Sequence, residues 1–290
     1  MNASPDERPE NVPLAAGTEP AEVIPVWRGV TAPPHADIRP IDSLPPPPPD
    51  PAWNGWDVLR IMLMFVVSFV LSFLAMLVFV PGSNLKSRFV RFGATPSLGI
   101  LAQFLAYLLL LGYMYILVTK ERGRPRFWDA IHWHWPANFG PFLAAGFALQ
   151  IVFIFLERFL PFPKQTPFDE LLQQRTALVL ILMFAVTLGP LMEELFFRGF
   201  FYPVVARRFG MVAGVLATAL PFGLMHAAQY GYSWASVLLV SIVGVVLGAV
   251  RAAKDSVAAG FILHIAYNGT ITLMLLIATD GFRHLEKLNQ

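Results

Sequence analysis

The sequence predicts an all-α polytopic membrane protein, folded as a bundle of seven to eight transmembrane helices. Of its 290 residues, 56% are hydrophobic and only 14% are charged, and the mean hydropathy is +0.58. Soluble domains carry about 25% charged residues, so a chain this poor in charge indicates insertion into a membrane. The apolar residues are also grouped in stretches of about 20, the length that crosses the hydrocarbon core of a bilayer.

Seven apolar stretches are predicted to span the membrane. They lie at 58–80, 97–119, 140–160, 177–203, 211–228, 234–251 and 257–278. The fourth stretch is long enough to be broken at Gly189-Pro190, which would give an eighth helix. A break there frees backbone groups at membrane depth, which is tolerated where they line a wet cavity. The tryptophans lie outside these stretches or at their edges, as in an interfacial aromatic belt.

Residues 1–57 differ in composition from the rest of the chain. They hold 14 of the 25 prolines, including the run Pro45 to Pro49, and few large apolar residues. Such a segment cannot bury enough surface to fold, so a disordered proline-rich tail is predicted. The tail could dock a proline-reading partner, although such runs also arise from composition alone. The remaining regions are two groups of helices, 58–160 and 161–280, and a short C-terminal tail, 281–290.

Composition excludes several classes of function. The chain has no cysteine, so it has no disulfide framework, thiol nucleophile or cysteine-ligated metal site. Its net charge is only +2, and its basic residues lie between apolar spans rather than in one patch, so no nucleic-acid binding is predicted. Lysine and arginine are nearly balanced between the two sides of a seven-span arrangement. The slight excess in the segment Lys120 to Arg126 favours a cytoplasmic N-terminus.

A small set of polar side chains remains inside the predicted spans, where ionisable groups are costly and usually functional. They are Glu193, Glu194 and Arg198 in the fourth span, His226 in the fifth, and His264 with Asn268 in the seventh. On a helix, Glu194 lies four residues before Arg198 and shares a face with it as an ion pair. Glu193 rotates off that face. It is therefore the carboxylate that can act on something else.

Together these groups fit a hydrolytic site, because a carboxylate, two imidazoles and an amide supply a base, a proton relay and oxyanion donors. Singly, each has a structural explanation: either histidine can be a packing residue, and the glutamate–arginine pair can be a clamp. The His-Glu-x-x-His motif of zinc proteases and the Gly-x-Ser-x-Gly elbow of serine hydrolases are absent. An aspartyl protease would need two aspartates within the spans, and here the aspartates lie in loops or at span edges. Two alternatives stay open, a zinc site made by Glu193, His226 and His264 and a proton-coupled transporter.

At these residues the chain resembles the CPBP family of intramembrane proteases, also called the Abi family. This family includes CAAX prenyl endopeptidases and bacteriocin-processing or immunity proteins. Its pattern is Glu-Glu-x-x-x-Arg, Phe-x-x-x-His and His-x-x-x-Asn or Asp on successive transmembrane helices. In this sequence the three motifs are Glu193-Glu194 with Arg198, Phe222 with His226, and His264 with Asn268. All three are intact and stand in the family order.

The resemblance implies a glutamate-type intramembrane endopeptidase. In it, Glu193 is the general base that activates water, assisted by His226, while His264 and Asn268 form the oxyanion hole. The substrate would be a membrane-associated peptide or protein, in some family members a lipidated one. No cofactor is implied, and the region 161–280 would be the catalytic core.

The resemblance also implies that Glu194, Arg198 and Phe222 support the site structurally. The expected location is a bacterial inner (plasma) membrane. A noncatalytic immunity or scaffold protein that retains the site for its structure is the remaining alternative.

Overall fold

Helices joined by loops and turns make up the residues that the computed structural model describes, which are 50–163, 166–167 and 175–284. No strand occurs within these ranges. The all-α prediction is therefore confirmed for this part of the chain. The predicted disordered tail falls mostly on residues 1–49, and part of the predicted C-terminal tail falls on 285–290. Both segments lie outside the described residues.

The helices follow the predicted apolar stretches closely. In chain order they are α1 (Gly55–Phe79), α2 (Leu85–Gly93), α3 (Pro96–Ile116), α4 (Phe127–Ala130), α5 (Gly140–Leu156), α6 (Arg175–Ala185), α7 (Leu188–Glu194), α8 (Tyr202–Phe209), α9 (Met211–Met225), α10 (Trp234–Lys254) and α11 (Val257–Ala278). Helix α3 continues into the π-helical turn Leu117–Glu121, α5 into the 3₁₀ turn Glu157–Phe159, and α7 into the π-helical segment Leu195–Phe201.

Six of the seven predicted spans are helices long and apolar enough to cross a membrane, so the chain is an integral membrane protein. They are Gly55–Phe79, Pro96–Glu121, Gly140–Phe159, Thr176–Phe209, Trp234–Lys254 and Val257–Ala278. The exception is α9, which is apolar but has only 15 residues. The short helix α2, with Lys86, Arg88 and Arg91, was not predicted because its alternating basic and apolar residues do not form a span-length apolar stretch.

Helix α1 begins three residues before the predicted start at Val58. The Asn54 side chain accepts from the backbone N–H of Trp56, and Asp57 Oδ2 accepts from the backbone N–H of Asn54, which makes a capping box. Asp57 is fully buried and pairs with Arg122. Trp53 is only 2% exposed. Buried side chains therefore occur within the described residues 50–57, directly before and at the start of α1.

The long fourth span is interrupted, but not where the sequence predicted. Helix α6 ends at Ala185 and α7 begins at Leu188, so the turn lies at 186–187 rather than at Gly189-Pro190. Pro190 is the third residue of α7. A proline is tolerated in the first turn of a helix because the N–H that it lacks has no partner within the helix there. Pro190 therefore helps to start the second helix instead of marking the break itself.

Contacts between helix ends define two faces of the bundle. Arg60 near the start of α1 hydrogen-bonds Glu121 at the end of the α3 span, with Nη1–Oε2 at 2.8 Å. The backbone N–H of Val257, at the start of α11, donates to the carbonyl of His132 in the loop before α5. These ends form what we call the N-terminal face. The opposite face carries the turn that joins α9 to α10.

The π-helical segment Leu195–Phe201 lies between the two halves of the core. Leu195 and Phe200 pack into a cluster with residues of α1 and α3. Phe197 packs into a second cluster with residues of α5, α9, α10 and α11. A polar side chain on α7 or on this segment is therefore enclosed by helices from both halves.

Close packing between α5 and α11 depends on a glycine. A Cβ atom at Gly146 would lie 2.3 Å from the backbone oxygen of Leu263, whereas one at Gly112 of α3 would meet nothing within 4 Å. We expect Gly146→Ala to destabilise the protein by about 1–3 kcal/mol through overpacking. Gly112→Ala is the matched control and should not destabilise it. Thermal unfolding in detergent measures both, and equal midpoints for the two variants would contradict the packing described.

Candidate active site

The four residues predicted to be catalytic line one cavity of about 330 Å³. Glu193 enters it from α7, His226 from the residue that ends α9, and His264 with Asn268 from α11. The cavity extends from these side chains toward the opposite face, where Pro167 and Tyr230 line it. The sequence motifs, separated by up to 75 positions, thus meet at a single place within the membrane-spanning part.

Glu193 lies between the two imidazoles, with one carboxylate oxygen directed at each. Its Oε1 is 3.9 Å from His226 Nε2, and its Oε2 is 3.6 Å from His264 Nε2. Both distances exceed those of a direct hydrogen bond. Catalytic hydrogen bonds are often long in structures without substrate and shorten in the reacting complex. The Glu193 side chain is 14% exposed, so it reaches the cavity rather than the core.

The ring of His226 is oriented by the end of its own helix. The backbone N–H of His226 donates to Gly223 rather than continuing the α-helical pattern, which leaves the Phe222 carbonyl to accept from the ring. The distance from Nδ1 to that oxygen is 2.8 Å. A carbonyl only accepts, so Nδ1 carries the hydrogen, and in the neutral ring the lone pair is on Nε2. That lone pair is on the side of Glu193.

His264 lies between two carboxylates. Its Nδ1 is 3.0 Å from Glu194 Oε1, and its Nε2 is the atom that approaches Glu193. The side chain is only 4% exposed. Both ring nitrogens therefore face carboxylate oxygens, and a ring with hydrogens on both nitrogens can donate in both directions.

Glu194 and Arg198 form an ion pair with no exposed side-chain surface, at 3.2 Å between Nη1 and Oε1. Arg198 Nη2 also donates to the Gly244 carbonyl at 2.8 Å. The other carboxylate oxygen of Glu194 lies close to α11 at Gly260, where a Cβ atom would be only 2.8 Å away. A glycine at 260 therefore leaves room for the buried carboxylate.

Phe222 contacts three members of the site. The guanidinium carbon of Arg198 lies 4.7 Å from its ring centroid, within the range of a cation–π contact. The rings of His226 and His264 lie 5.1 Å and 5.8 Å away. The phenylalanine of the second motif thus packs under the arginine of the first, beside both histidines.

Asn268 makes a contact that its sequence motif does not suggest. Its Nδ2 donates to the carbonyl of Ala185, the last residue of α6, at 2.7 Å. The amide thereby ties the interrupted fourth span to α11. An amide nitrogen carries two hydrogens, so the second can still serve another acceptor.

Two residues that hydrogen-bond the π-helical segment Leu195–Phe201, Arg251 and Trp53, were missed from sequence. Arg251 was placed at the edge of the sixth span, but α10 continues to Lys254 and the arginine is only 4% exposed. Trp53 was assigned to the tail because of its proline-rich surroundings. For Arg251, the sequence did offer one signal, its i,i+4 spacing from Asp255. The structure shows these two residues as an ion pair at 2.5 Å.

The part of the chain that the structure describes contains no group of three or more His, Cys, Asp or Glu side chains that could hold a metal ion. The zinc alternative for Glu193, His226 and His264 stays a prediction.

Residues 175–270 match the family model described as type II CAAX prenyl endopeptidase Rce1-like. This segment is therefore similar to that family of proteases. It contains every motif residue from Glu193 to Asn268, so the resemblance predicted from those motifs is confirmed there. The match covers about a third of the chain. Comparisons with curated proteins and with solved structures returned no match.

The two adjacent glutamates should respond differently to neutralisation. Glu194→Gln leaves Arg198 as a buried charge without a counter-charge, and breaking such a pair costs about 3–5 kcal/mol. Glu193→Gln removes a charge that borders the cavity, so its effect on stability should be much smaller. Thermal unfolding of both variants in the same detergent makes the comparison. A loss of stability in Glu193→Gln as large as in Glu194→Gln would contradict the assignment.

The cavity should be reached from the face opposite the N-terminus. Because the chain has no cysteine, Ala228→Cys in the α9–α10 turn and Arg126→Cys on the N-terminal face each give a single labelling site. With the predicted cytoplasmic N-terminus, a membrane-impermeant maleimide should label Ala228→Cys in intact cells and Arg126→Cys only after permeabilisation. Labelling of both from the same side would refute the topology, and the reverse pattern would refute only the orientation.

Proposed function

We propose that this protein is a glutamate-type intramembrane endopeptidase that hydrolyses a peptide bond of a membrane-associated peptide or protein. The observation that carries the proposal is the position of Glu193 between the Nε2 atoms of His226 and His264, inside a cavity. The CAAX protease-family match of the same segment supports it. On this basis the preferred substrate resembles a CAAX prenyl peptide.

In the proposed reaction, Glu193 takes a proton from a water molecule. The water oxygen bonds to the scissile carbonyl carbon, and the electron pair of the C=O bond moves to oxygen. His226, held by the Phe222 carbonyl, offers the lone pair of Nε2 to steady the water and to carry the proton onward. The proton reaches the leaving nitrogen as the C–N bond breaks, giving a carboxylate and an amine.

The oxyanion that forms would be bound by His264 and Asn268. His264 would donate through Nε2, and its ring is fixed on the other side by the contact of Nδ1 with Glu194 Oε1. Asn268 would use the Nδ2 hydrogen that does not bond Ala185. Donors fixed in place before the reaction stabilise developing charge without having to reorganise.

Glu194, Arg198 and Phe222 act in this proposal by holding the other groups. Arg198 neutralises Glu194, Glu194 orients His264, and Phe222 contacts both histidines and the arginine. None of the three needs to touch the substrate. The ion pair accounts for the four-residue spacing of Glu194 and Arg198, and the ring contact accounts for the four-residue spacing of Phe222 and His226.

The proposal is tested by cleavage of an internally quenched farnesylated CAAX peptide by purified protein in liposomes, alongside the same peptide without the lipid. We expect Glu193→Gln and His226→Ala to lower kcat/KM by about 10²–10⁴-fold, the usual contribution of a general base or acid. Glu157→Gln, at an exposed glutamate at the end of α5, is the matched control. Full activity of Glu193→Gln would refute the mechanism. A wild-type protein that cleaves neither peptide nor a wider peptide library would favour the scaffold or transporter alternative.

The zinc alternative has its own test. Activity should persist after exhaustive chelation and should not rise when zinc is added back. Loss of activity on chelation, restored by Zn²⁺ alone, would replace the metal-free mechanism with one in which Glu193, His226 and His264 are ligands.

A further inference from the structure

The helix that carries the site changes its hydrogen-bonding pattern directly after Glu194. Residues Leu195–Phe201 are π-helical, and the backbone N–H of Tyr202 donates five residues back, to the carbonyl of Phe197. A π-helical stretch inserts extra backbone into a turn and is less favourable than an α-helix, so it persists only where its surroundings hold it. Arg198 lies in the middle of this segment.

The π-helical pattern leaves the Arg198 carbonyl without its usual partners. In an α-helix this oxygen would accept from Tyr202, whose N–H is directed to Phe197 instead. In a continued π-helix it would accept from residue 203, which is a proline and has no N–H. A buried carbonyl without a partner is costly, so another donor is required.

Arg251 supplies that donor. Its Nε donates to the Arg198 carbonyl at 3.2 Å, and the bond is buried. The same guanidinium bonds Asp255 through Nη1 and lies 5.4 Å from the ring centroid of Tyr202. The arginine is thus fixed on several sides, and it bonds the backbone of the very residue that neutralises Glu194.

Trp53 makes the matching contact from the other half of the core. Its indole N–H donates to the carbonyl of Phe200 at 3.0 Å, again in a buried position, and its ring lies 4.8 Å from the ring of Phe200. The short segment before α1 is held in turn by Arg207, whose Nη1 donates to the Pro51 carbonyl at 2.8 Å.

We propose that Arg251 and Trp53 are positioning residues that hold the π-helical segment in its register, so that Arg198 keeps its contacts with Gly244 and Phe222 while it pairs with Glu194 beside the two histidines. A return of this segment to α-helix would leave Arg198 one turn after Glu194 but would rotate the segment relative to the helices packed around it. The guanidinium would then meet Gly244 and Phe222 in a different direction. The catalytic part of this inference rests on the proposed function, whereas the structural part does not.

Neither positioning residue lines the cavity with Glu193. Their loss should therefore change the placement of the catalytic groups and not the contacts to a substrate. Small misplacements of a catalytic constellation lower the rate strongly, up to about 10²-fold for a shift of about 1 Å. The expected signature is a lower kcat with an unchanged KM.

The experiment uses full-length protein with Trp53→Phe, which keeps an aromatic ring but loses the N–H, and Arg251→Lys, which keeps the charge but loses Nε. Matched controls are Trp56→Phe and Arg208→Lys, at exposed positions. The kcat and KM for the farnesylated CAAX peptide are measured per folded molecule, as quantified by size-exclusion chromatography. We expect kcat to fall about tenfold or more in each test variant, with KM within about twofold and both controls at wild-type values.

Hydrogen exchange of backbone amides in peptides covering residues 195–203 gives a second measurement that needs no activity. Exchange there should be faster in both test variants than in both controls. Unchanged exchange in Trp53→Phe and Arg251→Lys overturns the structural part. Faster exchange with normal kcat, or a loss expressed mainly in KM, overturns the positioning role. If the wild type cleaves no peptide, the proposed function fails and the exchange result alone decides whether the two residues hold the segment.

Discussion

The buried pair of Glu194 and Arg198 is the interaction on which the rest of the site depends. Two charges placed where no water reaches them need partners with good geometry. The Gly244 carbonyl accepts from Arg198 Nη2, His264 donates to Glu194 Oε1, and Gly260 leaves the space that the other carboxylate oxygen occupies. Glu194 Oε2 and Arg198 Nε have no hydrogen-bond partner among the described residues. Three helices are thereby fixed relative to one another. The orientation of His264, and with it the cavity wall, follows from this pair.

The two adjacent glutamates, Glu193 and Glu194, thus differ in their surroundings. Glu194 is enclosed and bonded, whereas Glu193 borders a cavity and is approached by two imidazoles at more than hydrogen-bond distance. Enzymes commonly separate the roles of paired carboxylates in this way, through environment rather than residue type. The irregular backbone on both sides of α7, a turn before it and a π-helical segment after it, sets the direction in which each carboxylate leaves the helix.

The sequence predicted the helical segments well because span-length apolar runs leave few other solutions in a bilayer. It also predicted that Glu194, not Glu193, meets Arg198, since i,i+4 neighbours share a helix face. It could not predict the π-helical segment, because residues 195–201 carry no periodicity that separates π from α. Trp53 and Asn268 bond backbone carbonyls that are free only once helices are interrupted or irregular, and no motif records such tertiary contacts. The site of the interruption was misplaced because Pro190 can begin a helix as readily as end one.

The short helix α9 has a consequence for the surrounding lipid. With 15 residues and about 1.5 Å of rise per residue, it is about 22 Å long, against a hydrocarbon core of about 30 Å. A span too short for its bilayer is accommodated by local thinning of the lipid. The membrane surface beside the C-terminal end of α9 should therefore lie closer to His226. This shortens the distance between the aqueous phase and the cavity. For the proposed endopeptidase, a peptide substrate would cross less of the hydrocarbon core to reach the cavity.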